Sequence, residues 1–372
     1  MSFQSLNLVE PILSALRAKG YTQPTPIQLQ AIPAILSGKD VLASAQTGTG
    51  KTASYSIPML QRLSGNRASQ GIRGLVLAPT RELAVQVSEN LTQYGKHLQV
   101  RNTLVYGGVS QVNQVKDIRG GTDIIIATPG RLMDLIQQKV ITLSKLEILV
   151  LDEADRMLDM GFIADVKRIM NLVPAQCQRV FLSATIPDAI QKLVSSILRN
   201  PVRITVAHEK GAVKIHQSLY YVSRQDKKAL LKHVIAEQQM KNVLVFARTK
   251  HGADKIARDL TKSGILAEAI HGNKSQVARQ RALSNFKRNS IRVLVATDIA
   301  ARGIDIIDLP FVINYEMPDT VETYTHRIGR TGRAGAVGSA LSFCDHEEMP
   351  QVKSLIRASS GRIQVLDHPF VN

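Results

Sequence analysis

Three short stretches of the 372-residue chain carry residue types suited to moving a phosphoryl group. The first is Ala45-Gln46-Thr47-Gly48-Thr49-Gly50-Lys51-Thr52, directly after the apolar run Asp40–Ser44. A strand, a Gly-rich turn and Lys-Thr opening a helix make a phosphate cradle. Backbone N–H groups and the helix N-terminus surround the β/γ-phosphates, Lys51 adds a point charge, and the Thr52 hydroxyl faces Mg2+. Ala45 stands where the general pattern has Gly. The second stretch is Ile148-Leu149-Val150-Leu151-Asp152-Glu153-Ala154-Asp155, an apolar strand ending in acids. It puts carboxylates at the carboxyl edge of a sheet, where open α/β folds bind ligands. Asp152 is placed to hold Mg2+ through water, and Glu153 to orient and polarise an attacking water. Two acids at a strand end are also a common helix cap, and their pairing with the phosphate loop is what makes an NTP-hydrolysis site. The third is His326-Arg327-Ile328-Gly329-Arg330-Thr331-Gly332-Arg333. Its glycines deny helix propensity past Ile328, so a loop presenting Arg330 and Arg333 is expected. Arginines supplied from a second domain would face the charge developing on the γ-phosphate and make catalysis depend on closure.

Positioning these stretches takes a sheet. Short β-branched runs recur, each followed by a longer amphipathic stretch. The first half offers Asp40–Ser44, Gly74–Ala78, Asn102–Tyr106, Asp123–Thr128, Glu147–Leu151 and Arg179–Leu182. The second offers Lys241–Ala247, Leu266–Ile270, Ile291–Thr297, Phe311–Tyr315 and Gly338–Phe343. Most are apolar throughout, as strands buried on both faces of a parallel sheet are. Helical patterns lie between them, among them Arg81–Tyr94, Arg131–Gln138, Pro187–Leu198 and Gly252–Ser263. Strand, helix, strand at such lengths predicts right-handed βαβ units and an α/β, doubly wound architecture. Patterning is weakest around Ala207–Lys214, which predicts a first domain over 1–207, a linker over 208–214 and a second domain over 215–372. A crevice between two such units is a natural ligand site. After Arg362 a final strand and a short tail are expected.

With 47 Lys and Arg against 30 Asp and Glu, the formal net charge is +17. The excess is spread along the chain: 22 basic residues face 14 acidic ones up to Ala207, and 25 face 16 beyond it. Nucleic acid, ahead of an anionic membrane surface, is one reading of that balance, and a soluble basic enzyme is the other. Hydrophobic residues at 44% and charged residues at 21% exclude wholesale disorder. Cys177 and Cys344 are too few for a disulfide framework or a Cys-rich zinc site, and they fit a reducing compartment. No basic segment followed by an apolar core opens the chain, and no apolar run approaches ~18 residues. A cytoplasmic globular protein without a membrane partner is expected.

The chain resembles a DEAD-box RNA helicase of superfamily 2, and within it the bacterial RhlE-like group, from Phe3 to about Phe343. The resemblance implies two tandem RecA-like domains, each a mostly parallel sheet flanked by helices, with the ATP site in the cleft between them. Gly20-Tyr21-Thr22-Gln23-Pro24-Thr25-Pro26-Ile27-Gln28 is similar to the adenine-reading Q motif. Gln28 would pair with the adenine edge, since an amide offers donor and acceptor together, and Phe3 would stack on the ring. Asp305 would meet the ribose, Arg330 and Arg333 resemble arginine fingers, and His326 would couple the ATP and RNA sites. Ser183-Ala184-Thr185 resembles the motif linking ATP state to strand separation, although by residues alone it also reads as a strand end and cap.

Pro79-Thr80-Arg81-Glu82, Gly107-Gly108 and Thr128-Pro129-Gly130-Arg131 resemble the first domain's RNA contacts. Without its motif, Arg81 would read as half of an exposed pair with Glu82 or Glu89. The segments Val245–Lys250 and Gln276–Arg279 resemble those of the second domain, with Arg279 facing RNA, and Ala296–Asp305 resembles the motif serving both ligands, with Thr297 and Arg302 facing RNA or the interdomain network. Cations and backbone amides on phosphates position without reading sequence, so binding is expected to be sequence-independent and salt-sensitive. Aromatic residues are only 4% with no Trp, which favours a groove that tracks the backbone over a base-stacking platform.

The implied activity is RNA-stimulated hydrolysis of ATP with Mg2+, and local unwinding or remodelling of short RNA duplexes. Ribosome assembly or RNA turnover is the implied setting, with ribosomal particles or RNA-degradation machinery as partners. An ATP-gated RNA clamp or annealing factor with little unwinding is the alternative.

Overall fold

Runs of Val, Ile and Leu too apolar to face water on either side become the inner strands of two parallel sheets. The computed structural model describes residues 2–45, 48–65, 71–206, 215–301, 309–332, 337–358 and 363–370, and the chain divides into two units, Met1–His208 and Glu209–Asn372. In the first unit the strands are β1 (Val41–Ser44), β2 (Gly74–Leu77), β3 (Asn102–Val105), β4 (Ile124–Ala127), β5 (Ile148–Leu151), β6 (Gln178–Ser183) and β7 (Val202–Thr205). Among the described residues they form one sheet in the order β3-β4-β2-β5-β6-β1-β7, with every neighbouring pair parallel.

Parallel neighbours need long crossovers, and helices supply them on both faces. Successive strand residues point to opposite faces. Ile124, Ile126, Ile148 and Val150 therefore join a core with the helices Glu10–Ala18, Pro26–Leu36, Lys51–Ser64 and Arg81–Tyr94. Ile125, Leu149 and Leu151 join another with Pro129–Gln137, Ile163–Met170 and Asp188–Ile197. Each of these strand side chains is fully buried, contributing about 1.5–3 kcal/mol apiece to folding.

The second unit repeats the plan with β8 (Ile215–Tyr221), β9 (Val243–Phe246), β10 (Ala267–Ile270), β11 (Val293–Ala296), β12 (Phe311–Asn314), β13 (Gly338–Cys344) and β14 (Ile363–Val365). Their order is β10-β11-β9-β12-β13-β8-β14, again parallel throughout. Val243, Val245, Val293 and Val295 point into one core, and Leu244, Phe246, Leu294 and Ala296 into the other.

The helix Arg81–Tyr94 has the ends its sequence pattern predicts, because Thr80 Oγ1 accepts from Leu83 N at 3.3 Å and fixes the start. The strand at Ile363–Val365 fits the expected final strand. The pattern missed β7 and β8. β7 is an edge strand with Arg203 and Thr205 exposed, and β8 carries His216-Gln217-Ser218, so neither has the apolar run of an inner strand. The expected linker, 208–214, lies outside the described residues. No described helix is long and apolar enough to cross a membrane.

Candidate functional site

Apart from the Q motif and Phe3, which precede β1, the expected motifs of the first unit lie at the carboxyl ends of its strands. The phosphate loop follows β1, Asp152 and Glu153 follow β5, and Ser183 ends β6. Gly50 has φ of +90° at the turn into the helix Lys51–Ser64. Lys51 is 6% exposed, and its Nζ donates to Ala45 O at 2.6 Å. Gly48 also takes a positive φ, and Thr49 is half-buried beside it. Gln46 and Thr47 lie outside the described residues.

Asp152 is 2% exposed, and Tyr55 Oη donates to its Oδ2 at 2.7 Å. Burial, reinforced by the negative charge of Glu153, pushes the Asp152 carboxyl up to about 6; Lys51 and the Tyr55 hydrogen bond oppose the rise. Glu153 stands in the left-handed region (φ 52°, ψ 53°), a conformation that costs an L residue of order 1 kcal/mol and recurs at functional sites. Its Oε2 accepts from Arg156 Nη1 at 2.6 Å, one helical turn on, and both side chains are mostly buried.

Asp155 Oδ2 accepts from Ala184 N (3.1 Å), Thr185 N (2.9 Å) and Thr185 Oγ1 (3.1 Å), and Asp155 N donates to Ser183 Oγ at 3.3 Å. The acidic motif after β5 thus fixes the Ser183-Ala184-Thr185 turn after β6. Thr52, expected beside Mg2+, is half-buried on the same helix as Lys51.

Gln28 is 3% exposed at the third position of the helix Pro26–Leu36. Its Oε1 accepts from Thr25 N at 2.9 Å and its Nε2 donates to Gly50 O at 3.3 Å, which ties the Q motif to the phosphate loop. One amide hydrogen is left for a ligand. Phe3 is 4% exposed, stacked on Tyr21 at 6.4 Å between centroids and part of the core. Its ring offers no open face here, so stacking on a base would first require uncovering it.

Along the same sheet edge, Arg81, Gly108, Thr128 and Arg131 follow β2, β3 and β4, which separates them from the phosphate loop after β1. The Arg81 guanidinium lies against Gly108, whose φ is +78°. Glu82 is buried at 8% exposure and Glu89 is exposed. Arg131 Nη2 donates to Val109 O at 3.1 Å, its Nε lies 3.5 Å from Asp134, and its buried Nη1 has no partner among the described residues. Gly108 is exposed and Thr128 half-buried at the start of the helix Pro129–Gln137.

In the second unit the helix Val321–Ile328 ends where Gly329 predicts. His326 is half-buried, and Arg330 is 5% exposed in the turn beyond. Sequence reasoning assigned Arg327 nothing, yet it anchors this segment. Its Nε and Nη2 form a fork on Asp298 (2.6 and 2.8 Å), and its Nη1 donates to Asn314 Oδ1 and Glu316 O. The guanidinium also covers the Phe246 ring at 5.0 Å. Thr297 is buried just before Asp298, and Arg279 is half-buried on the helix Gln276–Lys287. Arg302, Asp305 and Arg333 lie outside the described residues.

Comparison with known proteins decides what this arrangement belongs to. Residues 25–193 match the DEAD/DEAH box helicase family and residues 226–335 the helicase conserved C-terminal domain. The chain is 41% identical over 374 residues to the DEAD-box ATP-dependent RNA helicase CshA of Bacillus cereus, spanning 100% of this chain and 70% of that one.

The chain belongs to the DEAD-box RNA helicase family.

The DEAD-box helicase RhpA of Helicobacter pylori is 39% identical over 372 residues, 100% of this chain and 75% of that one. Among solved structures, Saccharomyces cerevisiae Dbp5 bound to RNA and ADP BeF3 is similar at a TM-score of 0.86, with 30% identity over 98% of this chain and 95% of that one. A DEAD box protein from Methanococcus jannaschii is similar at a TM-score of 0.56, with 37% identity over 99% of each chain. The two parallel seven-stranded sheets are therefore the RecA-like domains of a DEAD-box helicase, an ATP-dependent enzyme acting on RNA. For this helicase, three residues outside the sequence reading join the site. Tyr55, three residues after Thr52, and Arg156, three after Glu153, could have been found from helical spacing alone, whereas the pairing of Arg327 with Asp298 had no local signal.

Proposed function

We propose that this DEAD-box helicase hydrolyses ATP when it binds RNA and locally unwinds or remodels short duplexes without sequence specificity. The observation that carries the reading is the meeting of Lys51, after β1, with Asp152 and Glu153, after β5, at one edge of one sheet. Lys51 serves as the point charge on the β/γ-phosphates, cradled with the amides of 45–50. Thr52 and Asp152 offer a hydroxyl and a carboxylate, the hard oxygen donors Mg2+ takes, and would hold it, partly through water. Bound there, Mg2+ would neutralise charge on the phosphates. Glu153, braced by Arg156, orients the attacking water and polarises it. Gln28 reads the adenine edge with the hydrogen it has left, Phe3 stacks on the base once uncovered, and Asp305 meets the ribose.

Arg330 and Arg333 supply cations to the transferring phosphoryl group when ATP and RNA bring the two units together, with His326 linking the two ligands. Arg81, Gly108, Thr128, Arg131, Arg279, Thr297 and Arg302 grip the RNA backbone. Because both ligands favour one closed state, each should tighten the other's binding. Binding of RNA and a nucleotide analogue by Dbp5 supports the reading. The RhlE-like placement and the cytoplasmic setting, in ribosome assembly or RNA turnover, rest on the sequence resemblance.

The test is steady-state ATP hydrolysis with single-stranded RNA, with matched DNA and with neither. Stimulation by RNA alone is expected. Equal rates in all three would sever the arginine loop from RNA binding and overturn the proposal.

A further inference from the structure

The hydroxyl of Tyr55 has no part in the roles above, yet it touches Asp152, one of the carboxylates of the site. Tyr55 lies on the helix Lys51–Ser64, three residues after Thr52, so the two side chains share a face. It is fully buried among Ala53, Ile57 and the β-strand residues of one core. A phenylalanine would satisfy the apolar part of that environment; only the oxygen needs explaining.

That oxygen donates to Asp152 Oδ2 at 2.7 Å. A phenol has one proton to give. Given to Oδ2, it fixes that oxygen and leaves Oδ1 as the one turned elsewhere. Tyr55 and Asp152 come from segments following different strands, and Asp152 is one of the two side chains proposed to hold Mg2+.

We propose that Tyr55 is a positioning residue. Its hydroxyl sets the rotation of the Asp152 carboxylate and leaves Oδ1 to face the metal's water. The proposal rests on the reading of Thr52 and Asp152 as Mg2+ holders. Partners of this kind, one step removed from a metal, fix the orientation of its ligands, and their loss typically costs about 10–100-fold in metal affinity or activity.

The experiment titrates Mg2+ into the full chain with a fluorescent ADP analogue and reads nucleotide binding rather than turnover. Wild type is compared with Tyr55→Phe, which removes one oxygen and keeps the ring. For Tyr55→Phe the half-saturating Mg2+ concentration should rise roughly tenfold. Nucleotide affinity without Mg2+, RNA affinity and the melting temperature should stay near wild type. A third chain carrying 4-aminophenylalanine at position 55 restores a donor at the same point of the ring, and should bring the Mg2+ requirement back toward wild type. It also serves if Tyr55→Phe does not fold.

An unchanged Mg2+ requirement in Tyr55→Phe would overturn the proposal while leaving the metal reading intact, and so would a lowered one, which would mean that the phenol competes with the ion. Failure of 4-aminophenylalanine to restore the requirement would reduce Tyr55 to a packing role. Nucleotide binding by the wild type that ignores Mg2+ would remove the reading of Thr52 and Asp152, and this proposal with it.

Discussion

Glu153 and the two cysteines show what burial does to single groups. The Glu153 carboxylate is held by Arg156 at 2.6 Å on a backbone forced into the left-handed region. An amide of the same shape keeps that frame but loses basicity. Glu153→Gln should therefore bind ATP and RNA as wild type does, while turnover falls by about 10²–10⁴. Single-turnover hydrolysis measured beside equilibrium binding checks both halves, and normal turnover would remove the water-orienting role. Cys177 and Cys344 are buried at 4% and 1% exposure, and that burial pushes each thiol up to about 12. A raised thiol pKa means less thiolate at any given pH, of order one part in 10⁴ at pH 8, and the thiolate is the reactive form. Both thiols should stay unmodified by a colorimetric thiol reagent at pH 8 in the native protein, and two should react on denaturation.

At the scale of elements, the geometry of the strand-to-helix turns that hold the proposed site is set by what packs against them. Gly50 illustrates this. Its φ of +90° disfavours any side chain, and a Cβ there would press on the Gln28 amide and come within 3.1 Å of Thr25 Oγ1. Gly50→Ala should strain the turn by roughly 1–2 kcal/mol and push Gln28 off Gly50 O. Lowered melting temperature and weakened nucleotide binding, measured together, are the expected outcome; an unaltered affinity would mean that the bridge from the Q motif to the phosphate loop is idle. The Arg81–Tyr94 and Lys250–Lys262 helices start in the same way, with Thr80 and Thr249 as caps and a basic first residue at a strand's carboxyl end. Such repeated turns made most of the two sheets legible in the sequence. β7 and β8 escaped because an exposed edge and a polar strand lack the apolar run that marks the others.

The whole molecule carries a net charge of +17 spread over both halves, which suits a partner that is itself a long anion. Four arginines are assigned to the RNA backbone: Arg81, Arg131, Arg279 and Arg302. Neutralising four phosphates of a single strand gives a log–log slope of affinity against salt of about −3. Arg131→Ala should weaken binding to all RNA sequences alike and make that slope shallower by roughly 0.7, measured by fluorescence anisotropy across a salt series. A loss confined to particular sequences would make Arg131 a base reader instead.

Sequence alone determined the α/β class, most strands and the helices between them, because periodicity and turn residues act over a few neighbours. It also gave the phosphate loop and the acidic strand end, whose chemistry is written in adjacent residues. Tertiary structure alone decided what those groups touch. Tyr55 and Asp152 stand 97 residues apart in the chain, and Arg327 and Asp298 stand 29 apart. Gln28 is tied to Gly50, and Phe3 is covered by Tyr21. The first of these depends on which strands lie side by side, since the order β2-β5-β6-β1 brings the loops after β1 and β5 to one edge. No local pattern encodes that order; the shared burial of the strands does.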